Sequence, residues 1–336
     1  LAAGYWQVPL DEDAKLKSAF VVPGGLFQFE VMPFGLCNAP STFERLMENI
    51  FVGLQWKTLL IYLDDIVVFG STVEEMVHRL EDVFIRLREA KLKLKPKKCH
   101  LFQREVLYLG HVVSERGVST DPAKTDVVRT WPTPTNATDV RSFLGLASYY
   151  RRFVKKFSDV VKPLTALTQK EHPFIWTDAC EIAFRTMKEN LITAPILAYP
   201  QLGVPFILDT DASKYGIGAV LSQEQEGNEV VVAYASRTLS KPEQNYCVTR
   251  RELLAIVVFL KHFRHYLYGQ EVTVRTDHGA LRWLMNFKNP EGQVARWLEV
   301  VSQYRLTLVH RAGRIHSNAD GLSRRPCSQC GRLDDV

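Results

Sequence analysis

Two adjacent aspartates interrupt an otherwise apolar run, and this feature strongly constrains how the chain can fold. The run extends from Leu59 to Gly70, and Asp64 and Asp65 lie at its middle. Burying ionised carboxylates is costly unless a partner compensates. The run therefore predicts a β-hairpin that carries both acids. A divalent metal ion is one partner for such a pair, and the polar tip of an ordinary hairpin is the simpler alternative.

Length and composition indicate a globular protein of about two domains. The chain has 336 residues, of which 46% are apolar and 24% charged, and this balance excludes disordered, collagenous and coiled-coil classes. The net charge of +5 permits a nucleic-acid partner. The longest apolar runs, such as Leu253 to Leu260, are shorter than the roughly 18 residues of a membrane span, so no membrane partner is expected. Six scattered cysteines suit an intracellular protein.

The pattern of elements changes twice along the chain. Residues 1 to 112 alternate short apolar runs with Pro and Gly, which predicts mixed strands and helices, including a helix from about Thr72 to Ala90. Residues 113 to 200 contain a linker-like stretch from Trp131 to Thr135 and are otherwise predicted to be mostly helical.

Residues 201 to 325 are predicted to form an α/β domain. Their order is three strands, a long helix, a strand, two helices and a last strand. The predicted ranges are Val204 to Asp209, Ile217 to Ser222, Glu229 to Ala235, Val248 to Tyr268, Glu271 to Thr276, Gly279 to Asn286, Glu291 to Gln303 and Arg305 to Val309. Residues 326 to 336 are a tail.

Five segments of the first part resemble, in order, the reverse transcriptase of Gypsy-class long-terminal-repeat retrotransposons. The central one is Tyr62-Leu63-Asp64-Asp65, which is similar to the family's Tyr-x-Asp-Asp hairpin. The others are Gly4 to Pro9, Met32 to Phe43, Lys91 to Cys99 and Tyr108 to His111. Five matches at family spacing are far more specific than any single one.

The resemblance implies an α+β polymerase palm, followed by a helical thumb and connection, that copies a primed RNA or DNA template with deoxynucleoside triphosphates. Asp64 and Asp65 would hold two metal ions. Tyr5 would lie under the ribose and select deoxynucleotides; its alternative is an ordinary half-buried aromatic. The remaining residues with implied contacts to nucleotide or nucleic acid are Phe34, Gly35, Tyr62, Lys97, Lys98, Leu109 and Gly110.

The first residue is Leu1 and not Met, and the chain begins inside what resembles a structured element. The resemblance places a further metal-binding aspartate immediately before Leu1. The expectation is a fragment that lacks polymerase activity, although its parent has it.

Four acids in the last part form a second candidate set. Asp211 and Asp277 end predicted strands, Glu252 begins the long helix, and Asp320 follows the last strand. Acids at neighbouring strand ends and on a helix across them can converge on one pocket with two metals. Each alone could be a turn residue or a helix N-terminal acid.

Together these four acids resemble those of ribonuclease H. The matching pieces are residues 210 to 213, 251 to 256, 276 to 278 and 318 to 323. The family pattern favours Asp211 over Asp209 because its ligand lies in an Asp-Ala-Ser step. His310 matches a mobile histidine that assists product release; a surface histidine is the alternative, with His316 nearby.

This second resemblance implies hydrolysis of the RNA strand of an RNA–DNA hybrid. Two Mg²⁺ ions would serve each active site, with Mn²⁺ as the alternative, and recognition would use 2′-hydroxyl and shape contacts. Arg151 and Arg152 lie in a basic, aromatic-rich run that is expected to follow phosphates, although a solvated helix face is the default for such runs. Cys327 and Cys330 lack a second pair and do not predict a zinc site. The competing hypothesis is a non-catalytic nucleic-acid-binding remnant.

Overall fold

A computed structural model describes residues 1–170, 173–276 and 292–310. The chain divides into two compact units, residues 1–109 and 110–336. The predicted helix at 279–286 and the candidate acids Asp277 and Asp320 lie outside the described residues. Across the three described ranges, no helix is long and apolar enough to cross a membrane.

The first unit combines short strands with three helices around a small core. Helix α3 begins after Thr72, whose side chain accepts a hydrogen bond from Glu75 N, and this confirms the predicted helix. Buried Phe43, Met47 and Leu59 lie in the core. The elements are α1 (Glu12–Lys17), β1 (Phe20–Val22), β2 (Gly25–Phe27), α2 (Ala39–Ile50), β3 (Leu59–Tyr62), β4 (Asp65–Val68), α3 (Val73–Glu89) and β5 (Glu105–Tyr108).

The second unit begins with a hairpin and five helices. The hairpin strands are β6 (His111–Ser114) and β7 (Gly117–Thr120). The helices are α4 (Pro122–Arg129), α5 (Ala137–Tyr149), α6 (Phe157–Val160), α7 (Lys162–Ala166) and α8 (Asp178–Ile192), which confirms the helical prediction. We call residues 122–192 the helical segment. It packs around buried Val140, Phe143 and Met187.

The described part of this unit after residue 200 contains a five-stranded sheet, in the order β10-β9-β8-β11-β12. Strands β8, β9 and β10 are antiparallel neighbours, while β11 runs parallel to both β8 and β12. The elements are β8 (Phe206–Ala212), β9 (Gly216–Gln225), β10 (Asn228–Thr238), α9 (Lys241–Gln244), α10 (Val248–His262), α11 (Arg264–Leu267), β11 (Glu271–Thr276), α12 (Gly292–Ser302) and β12 (Arg305–His310). All five strands of this sheet were predicted, but the predicted single helix from Val248 to Tyr268 is divided into α10, which ends at His262, and α11.

The two faces of this sheet meet different partners. Leu208 and Leu221 are fully buried in one core with residues of α10. Because side chains alternate along a strand, Asp211 and its register partner Gly218 lie on the opposite face. Helix α6 lies on that face, where Ser158 N donates to Ser236 Oγ at 2.9 Å. Asp211 therefore faces the helical segment.

Candidate active sites

Asp64 and Asp65 lie at an exposed turn between β3 and β4. The strands pair with Tyr62 opposite Asp65, so the hairpin prediction is confirmed. Leu63 adopts a left-handed conformation (φ 54°) that is unfavourable for a residue with a side chain. Its N–H donates to a carboxylate oxygen of Glu44 at 2.5 Å, and this bond stabilises the turn. Sequence reasoning did not identify Glu44, since its partner is distant in the chain.

The hydroxyl of Tyr108 is influenced by the charges at the same turn. Burial raises the pKa of its hydroxyl, and the negative charges of Asp65 and Glu44 raise that pKa further. A tyrosine with a raised pKa stays neutral and can donate a hydrogen bond. Only its neighbours Leu109 and Gly110 were predicted to contact nucleic acid.

The first unit brings Tyr5 and Phe34 together, as the nucleotide-site hypothesis requires. Their ring centroids are 5.3 Å apart, and Tyr5 also contacts the buried ring of Phe43 at 5.4 Å. Phe34 itself is 66% exposed, and Gly35 beside it has a left-handed φ of 94°. The two rings therefore form an aromatic surface that is open to a ligand on the Phe34 side.

A glutamine links the N-terminal residues to the basic segment. Gln7 Nε2 donates to Ala2 O at 2.8 Å, and Lys93 N donates to Gln7 Oε1 at 2.6 Å. Farther along this segment, Lys97 and Lys98 lie exposed in a short 3-10 helix. The side chains of Lys97 and Lys98 are accessible, and the contact of Gln7 with the backbone of Lys93 could not be predicted from the sequence.

Leu109 and Gly110 are consecutive left-handed residues, with φ of 47° and 65°. The hydroxyl of Tyr150 donates to Gly110 O at 2.7 Å, and a side chain at Gly110 would press on the ring of Tyr149. Burial raises the pKa of Tyr150 to about 12, so this donor keeps its proton at neutral pH. These contacts give the Gly110 turn a fixed backbone conformation.

Asp211 is the first of the four acids in the second unit, and it forms an ion pair with a lysine. Lys156 Nζ lies 2.6 Å from Asp211 Oδ2, and both side chains are about half exposed. The hydrogen bond to Asp211 raises the pKa of Lys156 above its usual value. Burial raises the pKa of nearby Asp159, with Lys156 opposing and Asp211 reinforcing that shift. Nothing in the sequence pattern indicates that Lys156 lies beside Asp211.

Glu252 is a buried acid, with only 3% of its surface exposed. It lies on α10, which packs across β8 and β9 on the sheet face opposite Asp211. The described residues therefore do not bring Glu252 and Asp211 together on one face of the sheet, and their convergence on one site stays a prediction. Asp209 is engaged elsewhere, because Arg275 Nε donates to it at 2.7 Å and the same guanidinium binds Glu229 at 2.9 Å. These bonds hold the pKa of Arg275 well above its usual value.

His310 is exposed at the end of β12, where its register partner is Thr276, the last residue of β11. Asp277 directly follows Thr276 in sequence but, like Asp320, lies outside the described residues. Among the described residues, His310 and Thr276 thus lie side by side at the ends of β12 and β11.

The available donors suit hard cations. Within the described residues, no group of three or more His, Cys, Asp or Glu side chains forms a metal-binding cluster. Of the four candidate acids, Asp211 and Glu252 lie within those residues. Both supply carboxylate oxygens, the ligands that Mg²⁺ and Mn²⁺ prefer, and Asp211 already attracts an ammonium. Each of these carboxylates, taken singly, is a donor that suits a divalent metal ion.

Arg151 and Arg152 make intramolecular contacts. Arg151 Nη2 donates to Ser236 O at 2.6 Å and its guanidinium lies over Phe157 at 5.6 Å. Arg152 is half-buried over Phe153. Arg151 therefore helps to hold the helical segment on β10, and phosphate binding by either arginine stays a prediction.

Two protein-family models match the chain. Residues 1–113 match "Reverse transcriptase (RNA-dependent DNA polymerase)" and residues 176–274 match "RNase H-like domain found in reverse transcriptase". These matches agree with the two sets of motifs described above.

Similar proteins include Pol polyproteins of transposons from Drosophila melanogaster. The retrovirus-related Pol polyprotein from transposon 412 is 40% identical over 324 residues, which cover 96% of this chain and 26% of the relative. The one from transposon gypsy is 36% identical, over 96% of this chain and 32% of the relative. The chain thus spans about a quarter to a third of these polyproteins.

Solved structures of foamy viral protease-reverse transcriptase share the fold. The protein in complex with double-stranded DNA matches with a TM-score of 0.83 and 24% identity, over 94% of this chain and 56% of that chain. The protein in complex with RNA/DNA hybrid matches with a TM-score of 0.78 and 23% identity, over 96% and 45% of the two chains.

Proposed function

Since the chain belongs to the reverse transcriptase and RNase H region of Gypsy-class retrotransposon Pol polyproteins, we propose that it cleaves the RNA strand of RNA–DNA hybrids. The site would consist of Asp211, Glu252, Asp277 and Asp320. The observation that carries this proposal is made at Asp211, which lies in β8, the strand that α10 crosses. The carboxylate of Asp211 binds the ammonium of Lys156 and so attracts a cation.

The protein side chains have distinct roles in this proposal. Asp211 and Glu252 would hold two divalent cations, which supply an activated water and stabilise the leaving 3′-oxygen. Glu252 is buried, and the partial exposure of Asp211 leaves it open to substrate. His310 would act on product release. Contacts to the hybrid would read shape and 2′-hydroxyls, so sequence selectivity should be low.

A second function, template-directed DNA synthesis, is proposed for the first unit within the polyprotein. It is supported by the exposed Asp64–Asp65 turn, which Glu44 stabilises through Leu63 N, and by the open aromatic surface of Tyr5 and Phe34. Asp64 and Asp65 would hold the metals, while Tyr5 would contact the ribose. Lys97, Lys98, Leu109 and Gly110 would contact primer and template.

Cleavage of a labelled RNA–DNA hybrid by the 336-residue chain in Mg²⁺ tests the main proposal. Asp211→Asn and Glu252→Gln should each lose activity by about a hundredfold or more, because metal ligands are lost. Asp209→Asn is the matched control. It lies two residues away on the same face but is bound to Arg275, so its activity per folded molecule should stay close to that of the unmodified protein.

The outcomes separate the hypotheses. Binding of the hybrid without cleavage would favour a nucleic-acid-binding remnant. Full activity in both Asp211→Asn and Glu252→Gln would refute the assigned site. Cleavage of single-stranded RNA at an equal rate would refute the assigned substrate.

A further inference from the structure

The ammonium of Lys156 lies beside the carboxylate of Asp211, where a metal ion bound to Asp211 would lie. The ammonium lies 2.6 Å from Asp211 Oδ2, within the reach of a charge-assisted hydrogen bond. The lysine belongs to the helical segment, whereas Asp211 belongs to the sheet. The ion pair therefore joins the candidate nuclease site to a different part of the second unit.

The backbone of Lys156 is held firmly against the sheet. Lys156 O accepts hydrogen bonds from Asp159 N at 3.0 Å and Val160 N at 3.2 Å, which fix its position at the start of α6. Ser158, two residues on, is buried and donates from its N to Ser236 Oγ at 2.9 Å. The approach of Lys156 to Asp211 is therefore built into the packing of α6 on β10.

Two glycines of β9 leave room for this approach. Gly218 is the register partner of Asp211, and a Cβ there would lie 3.9 Å from Lys156 Cγ, in van der Waals contact. A Cβ at Gly216 would overlap the carboxylate of Asp159. The lysine stem thus crosses the strand over Gly218, where a longer side chain would obstruct it.

A divalent cation and this ammonium cannot share Asp211 without strong repulsion. Like charges a few ångströms apart repel, and the repulsion is greater near a protein surface than in bulk water. The lysine side chain is 51% exposed and flexible, so it can turn outward while its backbone stays fixed. Metal binding therefore requires displacement of the ammonium from Asp211.

We propose that Lys156 is an internal counter-ion that competes with divalent metal for Asp211 and so raises the metal concentration that the site needs. The inference rests on the proposed function, because it takes Asp211 as a metal ligand. Exposed ion pairs add little to folding stability, so the main effect of Lys156 is on the charge at Asp211. Metal affinity is the quantity that this contact controls.

Titration of the 336-residue protein with Mn²⁺, followed by loss of the free Mn²⁺ signal in electron paramagnetic resonance, tests the inference without substrate. Lys156→Met should lower the dissociation constant by about two- to fivefold, in line with the modest strength of exposed ion pairs. Lys156→Gln, which keeps a polar end without the charge, should lower the dissociation constant by a similar factor. Lys155→Met is the matched control: it removes an equal charge from the exposed neighbour and should change affinity much less.

Asp211→Asn distinguishes failure of this inference from failure of the proposed function. If Asp211→Asn binds Mn²⁺ as the unmodified protein does, Asp211 is not a ligand and the proposed function loses its site. If Asp211→Asn weakens binding while Lys156→Met and Lys156→Gln leave it unchanged, only the counter-ion role is wrong. In the Asp211→Asn background, Lys156→Met should have no effect. Circular dichroism of every variant confirms that it is folded.

Discussion

Asp209 and Arg275 form a two-pronged ion pair between the neighbouring strands β8 and β11. Arg275 Nε and Nη2 donate to the two oxygens of Asp209, the former at 2.7 Å, and the strands align these two residues in register. The side chains are only 28% and 17% exposed. Asp209 is thereby committed to holding the sheet together, although it lies just two residues before Asp211.

Asp209→Asn should destabilise the second unit by about 1 to 3 kcal/mol, because it leaves a half-buried guanidinium with a weaker acceptor. Asp211→Asn, on the same face, should change stability by less than about 1 kcal/mol because its ion pair is exposed. Urea unfolding at pH 7 measures both. Equal effects of the two variants would contradict the division of roles between these acids.

Gly117 should not tolerate a side chain. Its φ is 128°, and a Cβ would overlap the carbonyl of Leu197, which is held by two backbone hydrogen bonds of 2.8 Å with Val118. Gly117→Ala should cost about 2 kcal/mol or more in the free energy of unfolding. Gly145→Ala, at an open site within α5, should stabilise by about 0.5 to 1 kcal/mol. Thermal unfolding of the two variants should shift in opposite directions.

Local patterns predicted the elements of the fold well. The strand at Glu271–Thr276 was predicted to the residue, and the helix at α3 to within one residue at each end, since both depend on periodicity and capping within one stretch. The break at Phe263 was missed. The apolar pattern continues through it, and the turn is set by packing of Phe263 and Leu267 in the core.

Contacts between distant segments could not be predicted. Sequence spacing gives no reason to connect Glu44 with Leu63, or Lys156 with Asp211, because each pair depends on how whole elements pack. For the same reason, periodicity alone does not separate Asp209 from Asp211: both point to one face of β8. Their surroundings differ through contacts with other elements, because Asp209 binds Arg275 whereas Asp211 binds Lys156.

Glu243 should contribute stability that depends on pH. Burial tends to raise its pKa, but hydrogen bonds from Arg237 and Ser240 outweigh burial and hold the pKa below its usual 4.5. A lowered pKa in the folded state stabilises the protein above pH 4.5, and this contribution is lost as the pH falls. Glu243→Gln should therefore cost about 1 kcal/mol at pH 7 and almost nothing near pH 3. Urea unfolding at both pH values checks the sign; a constant difference would contradict it.

The exposed lysines of the short 3-10 helix should bind phosphates of a primed template. Each phosphate contact releases counter-ions, so binding weakens with salt by about 0.9 logarithmic units per contact for each tenfold rise in concentration. Replacing Lys97 and Lys98 together by Met should lower this slope by up to about 2 and weaken binding at low salt. Fluorescence anisotropy of a labelled primer–template over a salt series measures the slope. Lys261→Met, an exposed lysine in the last turn of α10, is the single-charge control and should leave the slope unchanged. An unaltered slope in the double variant would show that neither Lys97 nor Lys98 contacts a phosphate.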